Sequence, residues 1–461
     1  MIDESVWYLT GPWDPVQVRR GDALGFRAGS DHFADLLAPG LSNSTSDARW
    51  ISILAWCLKW SHVAWQKAGS QTLTSQEAQA ARYAWLRPLE LLWVDRALES
   101  GRPLGQLRGR KSIERWRKAE RGHCNFAMTT DQFRRYRHVG IYGAYRVVFR
   151  TMPGLTTGDG WTPSGMGLRL AEWVNDGLPR GARLDAQRFD VRTQWGRWLG
   201  EEAEYWVRHG WPGAGTFASR GPLPTPDGDV SSPLPEPERA ILADVLFELS
   251  SVRRVTAEVL AGVRVDQDHS DVCDHLAGSE KLALYLGSES LAPLPLFSRF
   301  ADAAMHAMRG AWEELVAAGE QAPQPVEVRK LAKASLVADR LERVQELGAA
   351  WLQSPTRAGF QHGSVPTHLA QAIVTARTPT ARLLALVRHH DCHGGGRRWF
   401  REQSGSLVPL VADSGIAASD YRFRLSALCR LSAQCGVSRM KGALAAVGRT
   451  DQVRDDEGDM L

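Results

Sequence analysis

Trp50-Ile51-Ser52-Ile53-Leu54-Ala55-Trp56-Cys57-Leu58-Lys59-Trp60-Ser61-His62-Val63-Ala64-Trp65 is the passage that sets the fold class. Ile51, Leu54, Ala55, Leu58, His62 and Trp65 recur three or four residues apart and share one helical stripe. Trp50, Ile53, Trp56, Cys57 and Trp60 make much of the remaining circumference apolar. A helix with so little polar face must be surrounded by other elements, so the passage predicts a core helix. Ser44-Thr45-Ser46-Asp47 just before it offers side-chain oxygens for the first free N–H groups. Lys59 and His62 interrupt the run, and it falls short of the roughly 20 apolar residues needed to cross a bilayer.

Outward from this helix the pattern stays helical. A second helix is predicted over Gln76 to Glu99, with Pro88 marking a kink or boundary. Glu238 to Ala261 forms an amphipathic helix through Ile241, Leu242, Val245, Leu246, Leu249 and Val252. Further helices are predicted at 297–318, 326–353, 366–376, 380–390 and 420–434, and strand-like alternation is scarce. Residues 212–237 carry seven prolines and four glycines, which predicts an extended linker between two lobes, 1–211 and 238–448. The polar, acidic end at 449–461 is expected to be disordered.

Composition narrows the function classes. With 43% apolar and 23% charged residues among 461, the chain reads as an ordinary globular protein of two or three compact domains. The net charge is only +4, so any attraction to a polyanion has to come from clustering. Six cysteines without a CxxC pair argue against a zinc ribbon and a disulfide framework. Met1-Ile2-Asp3-Glu4-Ser5 has neither the basic nor the apolar region of a secretory signal, so a reduced, cytoplasmic setting is expected, away from membranes. Most of the 18 tryptophans precede residue 215, where core filling is the first expectation and base stacking the second.

Clustered charge does occur. Between Arg102 and Arg150 thirteen basic residues face three acidic ones. Arg108, Arg110, Lys111, Arg115, Arg117, Lys118, Arg134, Arg135 and Arg137 are the candidate phosphate contacts, because neutralising a nucleic-acid backbone releases its counterions. Within 136–176 a helix around Ile141–Arg150 leads to Asp159-Gly160, a pair suited to a tight hairpin, and then to a helix from about Ser164. Trp161-Thr162-Pro163-Ser164-Gly165 with Leu168, Leu170 and Ala171 resembles the hairpin wing of winged-helix domains. The expected fold is therefore mainly α, a two-lobed helical protein with a small winged-helix-like α/β insert in its N-terminal lobe.

Metal-ligand chemistry is concentrated in Arg388-His389-His390-Asp391-Cys392-His393-Gly394-Gly395-Gly396-Arg397-Arg398. His389, Cys392 and His393, joined by Asp271 and His275 from the Asp/His/Cys-rich 266–275 segment, are a candidate set for zinc or another divalent ion. Against it stands a plain helix C-terminus closed by glycine. The glycine run also suits a phosphate cradle or a flexible turn, but no Lys-Ser or Lys-Thr follows to complete a P-loop. No nucleophile elbow, His-Glu-x-x-His helix or kinase signature is present, and no catalytic residue is assigned.

Three passages resemble an uncharacterised family of bacterial proteins from phage-defence gene clusters. They are Gly21-Asp22-Ala23-Leu24-Gly25-Phe26-Arg27 running through Ala34–Asn43 to Ala48-Arg49-Trp50, Tyr142-Gly143-Ala144-Tyr145-Arg146 with the loop after it, and His393-Gly394-Gly395-Gly396 with Trp399-Phe400. The resemblance implies an accessory protein working beside a helicase or nuclease in antiviral defence, with no catalytic residues to carry over. With the basic stretch, the leading expectation is a non-catalytic component with nucleic acid, DNA first, as a partner and no cofactor. A metal-dependent hydrolase or nuclease, and a protein–protein adaptor, are the alternative expectations.

Overall fold

The computed structural model describes residues 22–45, 47–67, 140–157, 160–177, 234–263, 269–317, 325–394, 398–410 and 423–437, with Arg82, Leu86, Leu89, Glu90, Trp93, Val94, Glu114 and Leu184. They are mainly helical, with a small three-stranded antiparallel sheet. Helix α1 (Arg27–Leu37) precedes α2 (Arg49–Lys67), α3 (Ile141–Thr151), α4 (Gly165–Gly177) and α5 (Glu236–Ala243). Next come α6 (Ser251–Ala261), α7 (His269–Ala277), α8 (Glu280–Leu286), α9 (Ser288–Leu291) and α10 (Leu294–Ala317). Strand β1 (Val326–Glu327) leads to α11 (Val328–Leu331), α12 (Ser335–Gln353), α13 (Ser364–Thr375) and α14 (Pro379–His393). β2 (Phe400–Gln403), β3 (Ser406–Pro409) and α15 (Leu425–Gln434) follow.

Two compact units emerge. The first holds the described residues of 40–250 and 430–437, the second those of 22–39 and 251–429. Of the expected linker at 212–237, residues 212–233 lie outside the described residues, as does the tail at 449–461.

In the first unit α2 is buried almost all round, as its composition requires. Trp50, Ile51, Ile53, Leu54, Trp56, Cys57, Leu58 and Trp60 are all buried. Each large apolar side chain taken from water contributes roughly 1.5–3 kcal/mol. Helix α4 packs along α2, and the Trp56 indole N–H donates to Asn175 Oδ1 at 3.2 Å. Trp93 meets the Trp56 ring edge-on at 5.8 Å. Of the described tryptophans, Trp65 and Trp173 are half-buried and the others are buried.

Of the expected winged-helix insert the described residues show one short hairpin-like bridge. Helices α3 and α4 are joined by a loop whose described residues form a single antiparallel bridge, Thr156 to Pro163. Pro163 has no N–H to extend a ladder. Two backbone bonds cross the loop, Thr157 N–H to Thr162 O at 3.0 Å and Ser164 N–H to Leu155 O at 3.1 Å, and Thr156 Oγ1 donates to Phe149 O at 2.6 Å. Gly160 takes the left-handed conformation expected of it, φ 78°, with its carbonyl accepting from the Tyr142 hydroxyl at 2.7 Å.

The predicted helix over 238–261 is broken. After α5 the backbone widens into a π-turn at Asp244–Glu248, closed by Leu249 N–H on Asp244 O, and α6 starts afresh at Ser251. Val245, Leu246 and Phe247 are all buried, and three consecutive residues cannot share the narrow stripe of a regular α-helix. At the head of α5, buried Glu238 pairs with Arg49 at 3.1 Å.

In the second unit α10 is the central helix, burying Phe297, Phe300, Met305, Met308 and Leu315. Helices α12, α13 and α14 pack in succession, α12 against α10 and α13, and α13 against α14. The predicted helix over 326–353 starts later than expected. Val326 and Glu327 pair with Leu407 and Ser406, making β1 one of the two outer strands of a sheet ordered β1-β3-β2. α12 therefore begins only at Ser335. Thr378 caps α14 by accepting the Ala381 N–H at 3.1 Å, ahead of Pro379 at the first helical position.

Candidate functional site

All nine candidate phosphate contacts (Arg108, Arg110, Lys111, Arg115, Arg117, Lys118, Arg134, Arg135 and Arg137) lie outside the described residues. From the same basic stretch, Arg150 in the last turn of α3 is exposed.

The His/Cys run at the end of α14 is held by a dense set of hydrogen bonds. His389 Nε2 donates to Leu24 O at 2.9 Å. His390 Nδ1 donates to Ala23 O at 2.7 Å, while its Nε2 accepts the Trp399 N–H at 3.0 Å. Those two bonds fix His390 as the neutral Nδ1–H tautomer, since one nitrogen must donate and the other accept. Burial, set against the bond to Leu24, pushes His389 down to about 4, and burial likewise lowers His390. On the other side Asp22 accepts the N–H groups of Phe26 at 2.9 Å and Arg27 at 3.2 Å, anchoring the turn that leads into α1. Gly394 closes the helix through its N–H on His390 O at 2.8 Å. The 22–27 turn and the end of α14, two passages of the family resemblance, thus form one clasp.

As a metal site the run is dispersed. The His389 and His393 rings lie 4.5 Å apart, with His368 6.2 Å beyond His393. His389 Nε2 is already engaged with a carbonyl, and Cys392 is exposed. Asp271 and His275 are exposed on α7. Among the described residues no group of three or more His, Cys, Asp and Glu is arranged to hold an ion.

Helix α7 carries an arrangement that sequence reasoning alone does not single out. His269 and Cys273 stand four residues apart, so they share a face. Cys273 Sγ lies 3.7 Å from His269 Nε2. His269 Nδ1 faces Asp302 Oδ2 at 3.2 Å and Ser298 Oγ at 3.1 Å, both on α10. Thiol, imidazole and carboxylate are thereby in line. Burial lowers the His269 pKa, but the Cys273 sulfur and the Asp302 carboxylate outweigh it and hold the imidazole above its usual range. The i, i+4 spacing is visible in the sequence; Asp302 and Ser298 come from α10.

A separate buried carboxyl sits in the first unit. Glu90 accepts the Tyr142 N–H at 2.7 Å at the start of α3, and its Oε2 has no hydrogen-bond partner among the described residues. Burial, opposed by bonds from Tyr142 and Ile141, pushes it up to about 8.

No protein-family model, curated protein or solved structure matches this chain. Among the described residues no helix is long and apolar enough to cross a membrane.

Proposed function

We propose that the protein is a non-catalytic nucleic-acid-binding or scaffolding component of a bacterial anti-phage defence complex. One observation carries the reading: an excess of ten positive charges, thirteen basic against three acidic residues, between Arg102 and Arg150. Such an excess on one segment favours a polyanion through counterion release even when the whole chain is nearly neutral. The high Arg content adds planar, bidentate donors matched to phosphate oxygens. The family resemblance supplies the setting, beside a helicase or nuclease, with DNA as the first nucleic acid to test.

Reversing Arg134, Arg135 and Arg137 to Glu together is the direct test. Retention of DNA and RNA by the full chain is measured over a salt series. The slope of log affinity against log salt should become shallower by about one for each phosphate-neutralising side chain removed. Undiminished retention in the reversed variant refutes the reading.

A further inference from the structure

We propose that Cys273 is a reactive thiol, activated by His269 and Asp302, that a small hydroperoxide oxidises stoichiometrically. None of the basic residues in the nucleic-acid reading takes part, so the two stand or fall separately.

The buried cysteines of this protein provide the comparison. Cys57 and Cys435 are buried, as Cys273 is. Burial and nearby Glu90 push the Cys57 thiol up, and burial with Glu238 does the same to Cys435. Those environments suppress the thiolate, which is the nucleophilic form. Cys273 has an imidazole nitrogen 3.7 Å from its sulfur instead. That ring cannot turn freely, because Nδ1 is held by Asp302 and Ser298. With Nδ1–H directed at a carboxylate, the other nitrogen is aimed at sulfur, where it either takes the thiol proton or donates to the thiolate.

Access selects the oxidant. Cys273 is fully buried, whereas the side chains of His269 and Asp302 are 19% and 17% exposed. The imidazole and the carboxylate are thus partly open to solvent, while the cysteine beside them is enclosed. The Phe423 ring lies 5.3 Å from the imidazole and is itself buried. Phe423 and Arg424 both adopt left-handed backbone conformations, φ 48° and 59°, which non-glycine residues rarely accept. Arg424 is tied to Asp31 at 3.7 Å and to Asp35. A peptide or nucleotide would have to displace this packing to reach sulfur. A molecule the size of hydrogen peroxide needs only a small opening beside the imidazole.

The chemistry balances without a further reagent. The thiolate attacks one peroxide oxygen, forming an S–O bond as the O–O bond breaks. Sulfur is oxidised by two electrons to the sulfenic acid, and the peroxide is reduced. The departing hydroxide takes the proton from His269 Nε2 and leaves as water, while Asp302 keeps the ring oriented.

The test exposes full-length protein briefly to hydrogen peroxide at neutral pH, then quenches with catalase and unfolds it in dimedone. Peptide mass spectrometry reads the adduct at each cysteine. Cys273 is expected to carry at least about tenfold more adduct than Cys57 or Cys435, because an imidazole nitrogen lies 3.7 Å from its sulfur. Equal or lower labelling at Cys273 overturns the proposal in the wild-type protein alone. His269→Gln and Asp302→Asn variants that keep the wild-type circular dichroism should lose that excess. A folded His269→Gln protein with undiminished Cys273 labelling would overturn it as well.

Discussion

A β-carbon on Gly394 would lie 2.7 Å from the carbonyl oxygen of Ala23. It would also fall 2.4 Å from His390 O and 2.7 Å from His390 Nδ1, all in the clasp between the 22–27 turn and the end of α14. Two of these atoms are backbone and cannot swing aside. Gly394→Ala is therefore expected to destabilise the second unit by about 2–3 kcal/mol. A lowered urea midpoint at unchanged slope would show it, and an unshifted midpoint would contradict it.

The same clasp makes the second unit acid-sensitive. Burial holds His389 down to about 4 from an ordinary 6.5. A base whose pKa is depressed by folding binds fewer protons folded than unfolded. Its contribution is full above pH 6.5 and is lost as pH falls toward 4, a difference of about 3 kcal/mol. Urea midpoints should drop between pH 7 and 4.5. In His389→Gln, whose amide still donates to Leu24 O without titrating, the drop should shrink.

The first unit should respond in the opposite direction. Burial raises Glu90 to about 8 and, despite Arg49, Glu238 to about 7. An acid raised by folding binds more protons folded than unfolded. Its stabilising contribution is full below pH 4.5 and is lost as pH rises through 7 to 8. Glu90→Gln keeps an acceptor for the Tyr142 N–H and removes the buried charge. It is expected to recover stability on the order of 3 kcal/mol at pH 9 and little at pH 5. Hydrogen exchange of the α3 amides measures this directly.

Helix α4 offers a paired test of close approach. A β-carbon at Gly167 would sit 2.1 Å from Leu155 O, whereas one at Gly177 meets nothing within 4 Å. Gly167→Ala should cost about 2–4 kcal/mol, because the loop between α3 and α4 must move. Gly177→Ala should be neutral or stabilising by up to about 1 kcal/mol, since alanine is the better helix former. Thermal melts of the two variants separate these outcomes. Equal melting temperatures would show that the loop yields.

Much of the helical framework is legible in the sequence because periodicity is a local property. The α2 passage announces its own burial, and α10, α13 and α14 begin within three residues of where spacing places them. Departures arise where partners distant in sequence intervene. Val326 and Glu327 look like the start of a helix until β3 claims their backbone groups. The π-turn at 244–248 likewise answers the burial of three successive apolar residues. Asp159-Gly160 suits a tight hairpin, and the described residues of that loop carry one antiparallel bridge, Thr156 to Pro163, while the Thr156 hydroxyl returns to Phe149 of α3.

By itself the chain determined that it would be helical, where its longest helices run, and that a strong positive charge gathers between 102 and 150. Tertiary structure alone decided the use of the His/Cys run, because the groups that engage His389 and His390 include the carbonyls of Leu24 and Ala23. It likewise decided that His269 and Cys273 would meet a carboxylate from α10. Helical spacing follows from backbone geometry within a few residues. A hydrogen-bond partner hundreds of residues away is chosen only when the packed core brings two segments within about 3 Å.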